Sequence, residues 1–190
     1  MKLRTATPDA WTEAVLADFN AFLTDHANCE RKASATGMLF VVRYADRPAL
    51  TDRLIEFAQE ELEHFQRVWR VMEARGLQLG ADTINPYAAG LLAQVRHGRD
   101  ERLLDRLLVA GLLEARGCER FGILAQVLDP GDVRDMYRDF TRADARHQRL
   151  FLDLAGECFD DATVQARADE LLDLEAGLVR TVPVRPALYG

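Results

Sequence analysis

Apolar residues recur alternately three and four positions apart through long stretches of this chain. That spacing follows one face of an α-helix, whereas a half-buried strand alternates apolar and polar residues. The stretches cover about residues 8–44, with one possible break before Asp18, and then 48–75, 100–128 and 132–159. A fifth helix is predicted over about 161–180, and no segment shows a clear strand pattern. The sequence therefore predicts an all-α protein.

Turn residues indicate how these helices are connected. Short turns at 46–48 and 129–132 make the helices on either side antiparallel neighbours. Residues 77–99 contain Gly80, Asn85-Pro86, Gly90 and Gly98, with space for at most one short helix, and they predict a long crossover. Two helical hairpins joined by one crossover are typical of ferritin-like four-helix bundles. We expect such a bundle, with an extra C-terminal helix.

Composition limits the class of protein. The 190 residues fit a single domain, 1–190, with a core over about 8–180 and a tail at 181–190. No apolar run approaches the roughly 20 residues of a membrane span. The N-terminus lacks the apolar stretch of a signal peptide. The three Cys form no C-x-x-C pair, which argues against a zinc ribbon, an iron–sulfur cluster or a disulfide framework. We therefore expect a cytoplasmic protein.

The apolar stripe of each of the four long helices is interrupted near its middle by a carboxylate. In the second and fourth helices a His follows that carboxylate three residues later. Four carboxylates gathered in a core would repel one another, because burial removes the water that screens them. Two divalent metal ions would balance the four negative charges. The predicted metal ligands are Glu30, Glu61, His64, Glu114, Asp144 and His147.

The spacing of these residues suggests a duplicated hairpin. The offset from His64 to His147 is 83 residues, and the offset from Glu30 to Glu114 is 84. This relation favours Glu114 over Glu119, although Glu119 lies in a Cys-Glu-Arg triplet like that of Glu30. Glu119 is about 140° round the helix from Glu114. It should therefore face elsewhere.

Ligand chemistry favours iron or manganese over structural zinc, because carboxylates and imidazoles are present without thiolates. Six ligands leave coordination positions open on two ions, which indicates chemistry with dioxygen or peroxide. His26, one turn before Glu30, is expected to be a polar or packing neighbour rather than a seventh ligand. The other interpretation of the acids is an ordinary polar layer paired with arginines. The arginines close in sequence are Arg31, Arg67, Arg116 and Arg146.

The segments around these residues resemble a known family. They read DHANCERKA, EELEHF, LLEARGCERF and ADARHQ. They are similar to those of the tRNA-(2-methylthio-N6-isopentenyladenosine) hydroxylases, which are non-haem di-iron monooxygenases of the ferritin-like superfamily. The resemblance covers about residues 8–180. Five of the six positions match the ligands of that family, whereas Asp144 departs from the Glu that the family typically has there.

This resemblance implies an oxygen-dependent tRNA hydroxylase. It would add a hydroxyl to the isopentenyl group of 2-methylthio-N6-isopentenyladenosine at tRNA position 37. The implied cofactor is a carboxylate-bridged pair of iron ions, with dioxygen as co-substrate. The chain has no G-x-G-x-x-G fingerprint and no iron–sulfur Cys set. The electrons are therefore expected from an external donor, a separate reductase or ferredoxin.

Other functions share the predicted site. They are a ferroxidase or peroxidase of ferritin or rubrerythrin type and a manganese catalase. A non-enzymatic helical interaction domain is a further alternative, and it would bind no metal. The formal net charge of −7 excludes a broadly basic nucleic-acid-coating protein, but it allows a local basic patch for tRNA. Arginine runs over 96–106 and 134–149 are the candidates for such a patch. The oligomeric state is left open between a monomer and a small oligomer.

Overall fold

Helices account for the regular structure of the chain. The computed structural model describes residues 1–81 and 83–190, and over these residues it contains seven helices and no strand. Asp82, inside the predicted crossover, lies outside the described residues. The helices are α1 (Asp9–Ala17), α2 (Phe19–Arg43), α3 (Pro48–Ala74), α4 (Pro86–Leu92), α5 (Arg99–Val127), α6 (Asp132–Cys158) and α7 (Asp161–Thr181). Within that part of the chain, no helix has both the length and the apolar character that a membrane crossing requires. The predicted all-α class is confirmed.

Capping residues explain where several helices begin and end. The break in the first predicted helix falls at Asp18, whose carboxylate accepts a hydrogen bond from the Ala21 backbone amide and so starts α2. α3 ends at Ala74, two residues before the predicted stop at Gly76, which has φ +67°, a conformation that glycine adopts without a steric penalty. α7 begins after Asp160, whose side chain accepts from the Thr163 amide. These local signals place the helix boundaries close to the predicted ones.

The predicted crossover contains one short helix, α4. The Asn85 side chain accepts hydrogen bonds from the Tyr87 and Ala88 amides, and Pro86 occupies the first turn, where its missing N–H costs nothing. Tyr87 and Leu91 are the buried residues of this helix. α4 thus anchors the crossover through two apolar side chains.

The chain divides into two compact units, which we call units A and B. Unit A comprises Glu13–Thr83 and Arg185–Leu188. Unit B comprises Met1–Thr12, Ile84–Val184 and Tyr189–Gly190. Each unit contains one of the two predicted helical hairpins, and each is described by itself.

Unit A is built on the packing of α2 against α3. Gly37 of α2 is buried, and a Cβ there would lie 2.9 Å from Phe57 Cδ1 and 3.1 Å from the Leu54 carbonyl oxygen. The absent side chain therefore lets the two helices approach closely. Nearby, the Ser34 hydroxyl donates to the Ala58 carbonyl oxygen over 2.7 Å, which links the helices across this contact.

Unit B is built on the packing of α5 against α6, with α7 contacting α4, α5 and α6. Phe121, Tyr137 and Phe140 form a buried aromatic cluster between α5 and α6, with ring centroids 5.5 to 6.0 Å apart. Such spacing is favourable for aromatic pairs. The N-terminal residues also belong to this unit, where the Arg116 guanidinium donates to the Thr7 hydroxyl over 3.1 Å.

Candidate metal centre

Unit A gathers three of the six predicted ligands. Glu30 lies on α2, and Glu61 and His64 lie three residues apart on one face of α3. All three are buried, and one ligand atom of each lies within 4.8 Å of those of the others. His64 Nδ1 is 3.5 Å from Glu30 Oε2 and 3.6 Å from Glu61 Oε1. This arrangement could hold a metal ion.

A fourth residue, His26, orients Glu30. His26 Nε2 lies 2.5 Å from Glu30 Oε1, and the carboxylate can only accept, so the imidazole N–H donates. Burial alone would raise the pKa of Glu30. The charge of His26 and the hydrogen bonds from His26 and His64 outweigh burial and lower that pKa below its usual value. Glu30 is therefore held ionised, the form in which a carboxylate can bind a metal ion.

Unit B gathers the other three predicted ligands. Glu114 lies on α5, and Asp144 and His147 lie three residues apart on one face of α6. All three are buried, and one ligand atom of each lies within 4.8 Å of those of the others. His147 Nδ1 is 3.4 Å from Glu114 Oε2. Each unit thus has one lone carboxylate and one acid-x-x-His pair.

Glu119 takes part in a different set of contacts. Its carboxylate accepts from the Thr7 hydroxyl over 2.6 Å and from Arg116. Glu119 thus lies away from Glu114's partners, as its 140° offset round the helix predicts. By contrast, Glu63, next to His64 in sequence, is exposed and belongs to the outer face of α3.

The interpretation of the acids as a polar layer paired with arginines loses support at two positions. Arg116 is fully buried, but its Nε and Nη2 donate to Glu175 Oε1. Arg146 is exposed, and its Nη1 donates to the Arg142 carbonyl oxygen. The buried Arg116 is thus engaged away from the predicted ligands, and the exposed Arg146 makes at least this one bond to the backbone of its own helix.

The donor sets of the two clusters fit a divalent transition metal. Each combines two buried carboxylates with one imidazole, and neither includes a thiolate. Oxygen and nitrogen donors of this kind suit iron or manganese. A divalent cation would also offset the charge of two carboxylates, which is otherwise costly to bury.

A family model and two curated proteins that are similar to this chain all carry the name of one kind of tRNA hydroxylase. The family model described as tRNA-(MS[2]IO[6]A)-hydroxylase (MiaE) matches residues 1–189. A Pseudomonas putida protein named tRNA 2-(methylsulfanyl)-N(6)-isopentenyladenosine(37) hydroxylase is 39% identical, over 87% of this chain and 80% of that protein. A Salmonella typhimurium protein of the same name is 30% identical, over 93% of this chain and 83% of that protein.

A solved structure is also similar over nearly the whole chain. It is described as Protein 43 with aldehyde deformylating oxygenase activity from Synechococcus. Its TM-score is 0.93 at 34% sequence identity, with 99% of this chain and 95% of that chain covered. The ferritin-like fold class predicted from the helix pattern is confirmed.

Proposed function

The chain belongs to the tRNA-(MS[2]IO[6]A)-hydroxylase (MiaE) family, and from that membership we propose that it hydroxylates the isopentenyl group of 2-methylthio-N6-isopentenyladenosine at tRNA position 37. The observation that carries this proposal is the family match over residues 1–189 of a chain that also contains two buried carboxylate–histidine clusters. The fold alone would not determine the substrate, because similar folds serve different reactions. Both curated relatives are named for this nucleoside.

The two carboxylate–histidine clusters are the candidate metal centre. We propose that the protein holds two iron ions and forms one domain spanning residues 1–190. Four carboxylates would then carry four negative charges against four positive charges, with both ligand histidines neutral. The proposed ligands are Glu30, Glu61, His64, Glu114, Asp144 and His147. The matching composition of the two clusters supports this proposal.

The iron ions would supply the oxygen-activating redox chemistry that amino-acid side chains lack. The overall reaction converts a C–H bond of the isopentenyl group into C–OH. One atom of dioxygen enters the product and the other leaves as water, so two electrons and two protons are consumed. We propose that a separate reductase or ferredoxin supplies the electrons.

The residues of the chain hold the ligands in position and exclude water. The hydrogen bond from His26 fixes the orientation of the Glu30 carboxylate, in the way that partners of metal ligands commonly do. Phe57 of α3 and Phe140 of α6 are buried residues one turn before Glu61 and Asp144, respectively. Such apolar neighbours keep the ligand faces of α3 and α6 dry.

The tRNA would meet the protein through basic side chains. Arg142, Arg146 and Arg149 are exposed along α6, which also carries two of the proposed ligands. Arginine is well suited to bidentate phosphate contacts. We propose this three-arginine row as part of the tRNA-binding surface. In this proposal the enzyme works in the cytoplasm, where its tRNA substrate is, as a monomer or small oligomer.

The proposed activity is tested by deleting the gene in its host and digesting bulk tRNA to nucleosides for mass spectrometry. We expect the hydroxylated nucleoside to disappear and its unhydroxylated precursor to accumulate. Complementation with wild-type protein or Glu63→Ala should restore it, whereas Glu61→Ala should not. Persistence of the hydroxylated nucleoside in the deletion strain would overturn the proposal. This outcome would direct attention to ferroxidase or peroxidase activity.

A further inference from the structure

Gly117 of α5 lies one helical turn after Glu114 and faces Asp144 of α6. A Cβ built on Gly117 would lie 2.6 Å from Asp144 Oδ2 and 3.7 Å from its Cγ. Real Cβ contacts essentially never fall below 3.0 Å. The next nearest atom, Phe121 Cε2, would be at an ordinary 3.8 Å. The space that a side chain at 117 would fill is therefore occupied by one carboxylate oxygen.

We infer that Gly117 is a positioning residue for the Asp144 carboxylate, which its missing side chain admits to the cluster with Glu114 and His147. This inference rests on the proposed metal site. Glycine in the interior of a helix is less stable than alanine, so its presence in the middle of α5 calls for a compensating role. The close approach of a proposed ligand supplies that role.

The distance by which Asp144 must move determines how Gly117→Ala would affect the proposed metal site. An alanine at 117 would force Asp144 Oδ2 outward by about 0.4 Å to reach the 3.0 Å limit, and by about 0.8 Å to reach the 3.4 Å at which ordinary contact begins. Metal sites require their ligands within roughly 0.5 Å of the productive position. Asp144 has a short, rotatable side chain, so the fold can accommodate the methyl group while the ligand moves. Gly117→Ala should therefore weaken metal binding and leave the stability of the fold largely unchanged.

The same helix offers a matched control. A Cβ on Gly122 would lie 3.6 Å from Thr141 Cγ2, which is an ordinary van der Waals contact. Gly122→Ala therefore makes the same chemical change in α5 without touching a proposed ligand. Comparing Gly117→Ala with Gly122→Ala separates the carboxylate effect from the general effect of replacing a helical glycine.

The experiment titrates Co²⁺, as a spectroscopic substitute for Fe²⁺, into metal-free full-length variants. Cobalt absorption and metal content per chain are recorded together with the melting temperature of each metal-free protein. We expect Gly117→Ala to bind Co²⁺ about tenfold more weakly or worse, with an altered absorption band, because disturbed ligand support typically costs 10–100-fold in affinity. Its metal-free melting temperature should stay close to that of wild type. Gly122→Ala should match wild type in Co²⁺ affinity, and its metal-free melting temperature should be equal or higher, because alanine is the better helix former.

A double-mutant cycle adds a second criterion. In the Asp144→Ala background no carboxylate meets the new methyl group, so Gly117→Ala should cause no further loss of Co²⁺ affinity. Equal binding by Gly117→Ala and wild type would overturn the inference while leaving the proposed function intact. The inference would also be overturned if the metal-free Gly117→Ala protein melted at so low a temperature that unfolding explained its weaker Co²⁺ binding. Absence of Co²⁺ binding by wild type would instead refute the proposed site itself.

Discussion

Arg116 donates from Nε and Nη2 to the same oxygen of Glu175, at 2.9 and 2.6 Å, and both side chains are fully buried. The Tyr87 hydroxyl donates to that oxygen as well, over 2.8 Å. This ion pair links α5 to α7 in the interior of unit B, with α4 attached through Tyr87. It is a structural feature of the unit and lies outside the two ligand clusters.

Removal of Glu175 should destabilise the protein strongly. Glu175→Ala leaves the Arg116 charge buried without its main partner, which typically costs about 3–5 kcal/mol. The free energy of unfolding in urea measures the effect. As a control, Asp139→Ala removes an exposed pair with Arg142 at 3.4 Å and should change the free energy by less than about 1 kcal/mol. Equal effects of the two substitutions would contradict this assignment.

The ionisation of Asp105 should make the free energy of unfolding depend on pH in the acidic range. Burial would raise its pKa, but hydrogen bonds from Arg96 and Arg167 lower that pKa below its usual value. The stabilisation is therefore complete above the unfolded-state pKa of about 3.9 and is lost as the pH falls through the lower folded-state value. Urea unfolding at pH 7 and at successively lower pH values measures this loss.

The matched variant for this prediction is Asp105→Asn. This variant should be less stable than wild type at neutral pH. The difference in free energy of unfolding should become smaller as the pH falls below about 4, because wild-type Asp105 is then neutralised as well. Asp153→Asn, at an exposed carboxylate on α6, should show little change at any pH. A gap between wild type and Asp105→Asn that does not depend on pH would contradict the prediction.

Loss of the His26 hydrogen bond should weaken metal binding more than folding. His26→Ala removes the donor to Glu30, and we expect Fe²⁺ affinity to fall about 10–100-fold in a chelator competition. His26→Gln can still present an N–H and should recover part of the affinity. If both variants bind Fe²⁺ as tightly as wild type, His26 has no part in orienting Glu30.

The row of Arg142, Arg146 and Arg149 should contribute to tRNA affinity. Replacing all three by Gln should weaken binding and reduce the slope of log affinity against log salt by up to about 0.9 for each lost phosphate contact. The control replaces Arg43, Arg70 and Arg75, which are exposed in unit A, and so changes the net charge equally. Similar losses from both triple variants would indicate general charge rather than a surface on α6.

Local signals predicted the helices well, because their ends depend on nearby residues. Gly76 and Asp160 mark ends that the structure places within a residue or two of the prediction. The composition of the ligand clusters also followed from helical spacing, since residues three apart share a face. Each unit brings three of the six predicted residues together, whereas their role as ligands of a two-iron centre is still a prediction.

The sequence does not predict which distant parts of the chain contact one another. Thr7 binds Arg116 and Glu119, and the Tyr189 ring stacks on Tyr87 with centroids 5.3 Å apart. Neither terminal segment shows a periodic pattern, so nothing in the sequence indicates its partner. One feature of the sequence does indicate that Glu175 is buried. It follows Leu171 and Leu172 at helical spacing, on the apolar face of α7.

The most direct test of the account is the iron content of the protein after anaerobic loading with Fe²⁺, with the electronic state read by Mössbauer spectroscopy. We expect about two iron ions per wild-type chain, magnetically coupled after oxidation, as in di-iron carboxylate bundles. Glu63→Ala should behave like wild type, whereas Glu61→Ala should lose the coupled pair. A wild-type chain that binds one iron or none, or a coupled pair that survives in Glu61→Ala, would contradict it.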